Sequence, residues 1–263
     1  MSANRTYVVT GSASGVGKAT AELLIERGNR VIGVDLAAAD VTVDLSTNDG
    51  RAELVSEVTR LSDGVVDGVL SIAGLAAPVP ATVSVNYFGM IAVLEGLQPL
   101  LTRSSAPRAV GVSSMASVRD YDEQLVAAMH DNDEPRALER AAELAAESAV
   151  MGGGSLYAST KRAFAQWVRR SAPTEFWAGA GIPLNAIAPS VVVTPMTAAA
   201  LVTEENRAQM RERSPMPLNG FAEPIVPARL LAWLTSEENS HLCGQVIFID
   251  GGADAVIRGD SVW

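Results

Sequence analysis

From Thr6 to Ile249, short apolar runs of strand length alternate with longer segments of helical period. The series opens with TYVVT, a helix from about Gly15 to Arg27, RVIGVD, VTV and a helix from Thr47 to Leu61. It continues through GVLSIAG, a helix-like stretch from Thr82 to Arg103, AVGVSS, a helix around Tyr157 to Arg170, IPLNAIAP and GQVIFID. A strand that rejoins the same sheet through a helix must run parallel to its neighbour, and the helices then cover both faces. The Val and Ile content of these runs is near-continuous, as strands buried on both sides require. The pattern predicts a single α/β domain around a doubly wound parallel sheet of seven strands, VTV being the weakest.

One segment breaks this rhythm. Over residues 118–152, Leu138, Ala141, Ala142, Ala145 and Ala149 recur at helical spacing, and Pro135 stands near a helix start after Asp133. An inserted helical hairpin is expected there, with Gly152, Gly153 and Gly154 as a flexible return. Between Arg119 and Val150 nine acidic residues face three basic ones, so most of the formal net charge of −10 is local. For the charges a solvated face is the simple reading, and for the alanines packing against a helix or a partner.

Composition removes several function classes. An acidic chain without clustered Lys and Arg is a poor partner for nucleic acid. No run of eighteen apolar residues occurs and the first residues lack a signal-peptide layout, so a soluble, cytoplasmic protein without a membrane partner is expected. Cys243 is the only cysteine, which precludes an internal disulfide and reads as core. Cys243, His130 and His241 form no ligand-spaced set, and no metal is expected.

The string TGSASGVG places Gly11, Gly15 and Gly17 between the first strand and the first helix. Glycine lets a backbone turn sharply and approach a pyrophosphate, and the following helix presents free N–H groups and the positive end of its dipole. Asp35 ends the next strand eighteen residues after Gly17, where a carboxylate accepts hydrogen bonds from an adenosine ribose and repels a 2′-phosphate. NAD is therefore favoured over NADP. The alternative is that the glycines only permit close packing and Asp35 caps a loop. Asp44, ending VTVD, either meets the adenine amino group or caps the helix that begins near Thr47.

Tyr157 and Lys161 are four residues apart and so share one face of a helix. Lowering a phenol by about 3 units takes roughly 4 kcal/mol of preferential phenolate stabilisation. A lysine charge about 4 Å away supplies on the order of 4 kcal/mol at an intermediate dielectric. The spacing predicts a tyrosine tuned by its lysine to work as an acid–base group.

Taken together, the glycine string, IAG at 72–74, Asn86, VSS at 112–114, YASTK at 157–161 and APSVVVTPM at 188–196 resemble the short-chain dehydrogenase/reductase family over nearly the whole chain. DLST at 44–47, SVNYFG at 84–89 and IDGGADAVIR at 249–258 are similar to its bacterial 3α-hydroxysteroid dehydrogenase/carbonyl reductase branch. The resemblance implies a Rossmann-type fold and hydride transfer between NAD and an alcohol or carbonyl. Tyr157 would move the substrate proton, and Lys161 would also bind the nicotinamide ribose. Ser114, with Ser113 as its rival, would donate to the substrate oxygen, and Asn86 would hold a water that extends a proton path. Ser14 and Val16 in the glycine turn, Leu36 and Leu45 beside the two carboxylates, and Ala73 and Gly74 would contact the cofactor. Pro189, Val192 and Thr194 would face its nicotinamide.

Two departures stand out against the family pattern. Ser190 occupies a position usually held by glycine, and Ile72 one usually held by an asparagine that ties neighbouring strands. The spacing of 43 residues from Ser114 to Tyr157 far exceeds the family's usual spacing, and the acidic insertion accounts for it. In the hydroxysteroid branch such an insertion implies a homo-oligomer, a dimer rather than a tetramer. Residues 196–221 stand where the family carries a substrate lid, and Met196, Leu201, Met210, Met216, Leu218 and Phe221 suit a hydrophobic substrate such as a steroid or another cyclic alcohol. Core packing would explain the same residues, an aromatic or terpenoid alcohol is the alternative substrate, and a non-catalytic NAD-binding protein the alternative function.

Overall fold

Seven strands drawn from the whole chain form one sheet in which every pairing is parallel. They are β1 (Thr6–Thr10), β2 (Arg30–Asp35), β3 (Val41–Thr42), β4 (Gly68–Ser71), β5 (Arg108–Val112), β6 (Leu184–Pro189) and β7 (Val246–Ile249), in the order β3-β2-β1-β4-β5-β6-β7. This computed structural model describes residues 4–151 and 155–262; the expected glycine return at Gly152, Gly153 and Gly154 lies outside them. Strand order reverses between β1 and β4, and in such sheets the crevice beyond the strand carboxyl ends receives ligands.

Helices bury one stripe each on opposite faces. On one side α1 (Gly15–Glu26) and α10 (Ile225–Leu234) pack Ala21, Leu24, Leu231 and Leu234 onto Val9, Leu70 and Val110. On the other, α2 (Asn48–Leu61), α4 (Met90–Leu101) and α7 (Leu156–Ser171) close the larger core through Leu54, Val58, Leu94, Leu97 and Phe164. Thr47 caps α2 by accepting from Gly50 N at 3.1 Å, while the Asp44 carboxylate accepts from Ser46 N at 2.8 Å. The capping alternative for Asp44 thus falls to Thr47.

The expected helix from Thr82 to Arg103 runs as α3 (Ala81–Val83), a π-helical turn at Ser84–Gly89 and α4. At that turn the loop after β3 presses on the helix: a Cβ on Gly89 would lie 2.9 Å from the Leu45 carbonyl oxygen and 3.0 Å from that of Ser84. A π turn leaves a local irregularity that an ordinary α-helical pattern does not announce.

The insertion is a helical hairpin of α5 (Glu123–His130) and α6 (Glu134–Met151), leading back into α7. Asp133 accepts from Arg136 N at 3.1 Å, so the helix starts where Pro135 announced it. Its buried stripe differs from the expected one. Ala137, Ala141 and Leu144 are fully packed, Leu138 and Ala145 flank them, and Ala142 is exposed. The helix is rolled so that i, i+4 and i+7 centre on Ala141; the side chain of Ala149 is outside the described residues. The acidic groups are organised by arginines rather than merely solvated: Arg140 meets Asp122 at 2.7 Å and Glu143 at 2.6 Å, and Arg136 meets Asp131 at 2.6 Å.

Cys243 is half-buried against the larger core, its thiol directed at the Ala172 carbonyl at 3.4 Å. Among the described residues no helix is long and apolar enough to cross a membrane, and no group of three or more His, Cys, Asp or Glu could hold a metal ion.

Candidate active site

A cavity of about 320 Å³ opens along the carboxyl ends of the strands. Gly11, Ser14, Gly15, Val16 and Gly17 form its floor at the β1–α1 turn. Gly11 has φ +72° and Gly15 φ +51°, conformations that favour glycine. A Cβ on Gly17 would lie 2.0 Å from the Gly11 carbonyl oxygen, so that position tolerates no side chain. Ser14 begins α1 without using its hydroxyl as a cap, which leaves that group and the first N–H groups of the helix facing the cavity.

Asp35 closes one end of the cavity. Its Oδ2 accepts from Ala13 N at 2.9 Å and its Oδ1 from Leu36 N at 2.7 Å, so the carboxylate is oriented by the glycine turn itself. Further lone pairs on both oxygens suit a pair of ribose hydroxyls. Leu36, 67% exposed, and the side chains of Asp44 and Leu45 complete this end. Ala73 and Gly74 form the opposite wall. Thr10 Oγ1 accepts from both Ile72 N and Ala73 N at 2.9 Å, taking over the strand tie that Ile72 cannot make.

At the other end Ser114, Tyr157 and Lys161 line one wall. Ser113 and Ser114 part company here. The Ser113 hydroxyl donates to the Lys161 carbonyl at 2.8 Å and anchors α7, whereas Ser114 lines the cavity with Tyr157 and its hydroxyl is directed at the Pro189 carbonyl at 3.4 Å. Ala116 N donates to Ser114 Oγ at 3.1 Å, which fixes that rotamer. Lys161 Nζ donates to the Val112 carbonyl at 2.8 Å and lies 5.7 Å from the centre of the Tyr157 ring.

The electrostatics differ from the sequence expectation. Burial pushes the Tyr157 phenol up, with the nearby Ser114 hydroxyl opposing it, and burial pulls Lys161 down to about 8. The ammonium is itself desolvated and is held by a backbone carbonyl. Desolvation of the phenolate therefore outweighs attraction to the lysine.

Asn86 stands behind this wall rather than in it. Its Oδ1 accepts from Leu75 N at 2.8 Å, and its Nδ2 donates to the Leu75 carbonyl at 2.8 Å and to Thr160 Oγ1 at 3.3 Å. The side chain pins the loop after β4 to α7. Pro189, Val192 and Thr194 line the cavity, and Ser190 does so too with its Oγ buried and without a hydrogen-bond partner. Thr197 is a lining residue that the sequence reading missed. It caps Thr194 reciprocally and donates to the Val192 carbonyl at 2.6 Å, and the Thr-x-x-Thr spacing of a capping box was its available signal.

Residues 196–221, the segment expected as a lid, are less apolar than the sequence reading supposed. Of the six hydrophobic residues singled out, Met196 faces the cavity, Leu201 is buried in the protein and Leu218 is 68% exposed. Helix α9 (Glu204–Arg213) buries none of its residues. The short α8 (Pro195–Ala198) borders the cavity through Pro195, Met196 and Thr197, and Arg119 donates to the Arg213 carbonyl at the end of α9.

The cradle fits a dinucleotide: side-chain-free positions at the turn, a helix N-terminus, a carboxylate at one end and an orphaned hydroxyl at the other. Comparison with known proteins agrees. A family model described as enoyl-(acyl carrier protein) reductase matches residues 140–254. The 3-alpha-hydroxysteroid dehydrogenase/carbonyl reductase of Comamonas testosteroni is 35% identical over 95% of this chain and 97% of its own. The cis-4-hydroxycyclohexanecarboxylate dehydrogenase of Sinomonas cyclohexanicum is 30% identical over 97% of this chain and 98% of its own. The crystal structure of the 3-alpha-hydroxysteroid dehydrogenase from Pseudomonas sp. B-0831, complexed with NADH, has a TM-score of 0.86 at 38% identity, covering 97% of this chain and 99% of its own. Similarity sustained over both lengths, on this strand order and this cluster of serine, tyrosine and lysine, has one consequence: the chain belongs to the short-chain dehydrogenase/reductase family, oxidoreductases that act on CH–OH groups with a nicotinamide dinucleotide.

Proposed function

We propose that this protein is an NAD(H)-dependent alcohol dehydrogenase/carbonyl reductase of the cytoplasm. Its substrate is a hydrophobic one, a 3α-hydroxysteroid or another cyclic secondary alcohol or ketone, and it works as a homo-oligomer. The observation that carries the reading is the grouping of Ser114, Tyr157 and Lys161 on the lining of the cavity that Asp35 closes at its far end. Asp35 supports NAD over NADP, since a 2′-phosphate beside a carboxylate meets like-charge repulsion. Apolar Leu75, Val192 and Met196 in the cavity wall support a greasy substrate. The printed names of the Comamonas and Sinomonas relatives point to cyclic alcohols and ketones.

A bound nicotinamide supplies the hydride for reduction and takes it back in oxidation. The chain's own residues handle the oxygen and its proton. Raised by burial, Tyr157 keeps its proton on Oη at neutral pH, the form that donates to a substrate carbonyl. Ser114 Oγ, held by Ala116 N, donates to the same oxygen and fixes its position. Lys161, tied to the Val112 carbonyl, offers positive charge to the phenolate that remains after the proton has left. In oxidation the same groups act in reverse, Tyr157 accepting the alcohol proton.

A panel of steroids, cyclic ketones and aromatic alcohols followed by NADH absorbance tests the proposal. Turnover of a steroid or cyclic ketone with NADH in preference to NADPH is the expected result. Turnover confined to aromatic primary alcohols would overturn the substrate class, and preference for NADPH the cofactor.

A further inference from the structure

Arg51 of α2 has a side chain only 9% exposed, yet it is fully charged. Every one of its donors is engaged. Nε donates to the Leu45 carbonyl at 2.9 Å; Nη1 donates to Asn48 Oδ1 at 3.0 Å and Glu134 Oε2 at 2.7 Å. Nη2 donates to Glu134 Oε1 at 2.7 Å and the Ser84 carbonyl at 3.1 Å, with the Ser46 carbonyl at 3.4 Å. One guanidinium thus joins the loop after β3, the start of the π turn that carries Asn86, and the first residue of α6 in the acidic insertion. Leu45 and Val85, neighbours of these contacts, line the cavity. The joint has no slack: a Cβ on Gly50 would lie 2.1 Å from the Asp44 carbonyl oxygen.

We propose that Arg51 and Glu134 are positioning residues that make the insertion part of the cofactor site, Glu134 holding the guanidinium against the Leu45 and Ser84 carbonyls. The pair thereby fixes the loop that presents Asp44 and Leu45 to the adenosine half of the dinucleotide. This rests on the NAD reading above. The geometry is specific to the pair. A fork of parallel N–H groups meets a carboxylate on one side and carbonyls on the other, which a single ammonium cannot reproduce. Without Glu134 the buried charge loses its compensation, and the guanidinium is drawn toward solvent together with the carbonyls it holds.

Binding of two probes, NADH and reduced nicotinamide mononucleotide, which lacks the adenosine half, tests the proposal by calorimetry on the intact protein. Glu134→Gln and Arg51→Lys are expected to weaken NADH by about tenfold or more and to change affinity for the mononucleotide far less. Equal loss for both probes would reveal a merely structural pair and overturn the proposal, as would unchanged NADH binding in both variants. Where a single variant fails to fold, the double variant Arg51→Met/Glu134→Met removes the donors without stranding a charge, and the same selective loss is expected. A wild type that binds neither probe overturns the cofactor reading and this proposal with it; a wild type that binds NADH beside variants that bind it equally overturns this proposal alone.

Discussion

At Tyr157 two effects compete, burial favouring the neutral phenol and the Ser114 hydroxyl favouring its anion, and burial prevails. The phenol is thus a proton donor first. Tyr157→Phe removes that proton and nothing else of size, so kcat for carbonyl reduction should fall by about 10²–10⁴-fold while calorimetric NADH binding stays nearly intact. Unchanged turnover would remove Tyr157 from the mechanism. Asp35 admits an equally local test. Asp35→Asn keeps an acceptor for Ala13 N but loses the charge, and the preference for NADH over NADPH should shrink by tenfold or more, about 1.4 kcal/mol, in kcat/KM. A wild type that already prefers NADPH would refute the role of Asp35. Residues such as Gly11, Asp35, Tyr157 and Lys161 were legible because chain spacing fixes their geometry: a strand end, a turn, one helix face. Asn86 was legible as a residue but not in its role, since its partner Leu75 is met only through tertiary packing. Likewise the spacing of Tyr157 and Lys161 fixed a shared face but said nothing of how thoroughly both would be desolvated.

At the scale of elements the insertion is the instructive case. Its alanine repeat announced a helical hairpin, but the buried stripe of Ala137, Ala141 and Leu144 shares only Ala141 with that repeat, because the helix is rolled about its axis. What the repeat could not announce is that Arg140 would gather carboxylates from both arms, or that Arg51 would reach the insertion from α2, because these pairings span 18 and 83 residues. Asp122 joins both functions: it caps α5 by accepting from Leu125 N at 2.7 Å and pairs with Arg140 at 2.7 Å. Burial raises its carboxyl, but the Arg140 and Leu125 hydrogen bonds together outweigh burial and hold it below the usual range. A folded-state value below the unfolded one contributes stability that is present above the unfolded value, near pH 4, and is lost as pH falls through the folded one. Asp122→Ala should therefore cost about 1–2 kcal/mol at neutral pH, read from urea midpoints, and flatten the loss of stability on acidification. Asp122→Asn keeps a capping acceptor and should cost less than Ala, yet show the same flattening. Equal stability of Ala and wild type would strip the residue of both roles.

For the whole molecule the question is which surfaces remain for a second copy. A doubly wound parallel sheet was legible from the alternation of strands and helices, since parallel crossovers of one hand leave few arrangements; the exposure of particular faces was not, because it depends on where the insertion lies. Helix α6 packs over α3, the π turn and α7, so that flank of the sheet is covered by the chain itself. The opposite edge is different. β7 ends the sheet with all four residues half-buried, whereas every residue of β4 and β6 is buried. In α11 (Ala253–Arg258), which follows β7 after a short turn, Val256 and Ile257 are 57% and 41% exposed. An open strand edge flanked by apolar side chains is costly to leave in water. A two-fold axis beside β7 would cover it with the same surface of a second chain and close at two subunits, whereas a tetramer of dihedral symmetry needs a second, distinct self-complementary face. The covered flank withholds that face. Sedimentation of the intact protein at micromolar concentration should accordingly give twice the 27.5 kDa chain mass, and Val256→Asp, placing a charge in the apolar patch, should shift it toward the single chain. A tetramer would show that the insertion does not block the second face, and a monomer that the β7 edge is sealed without a partner.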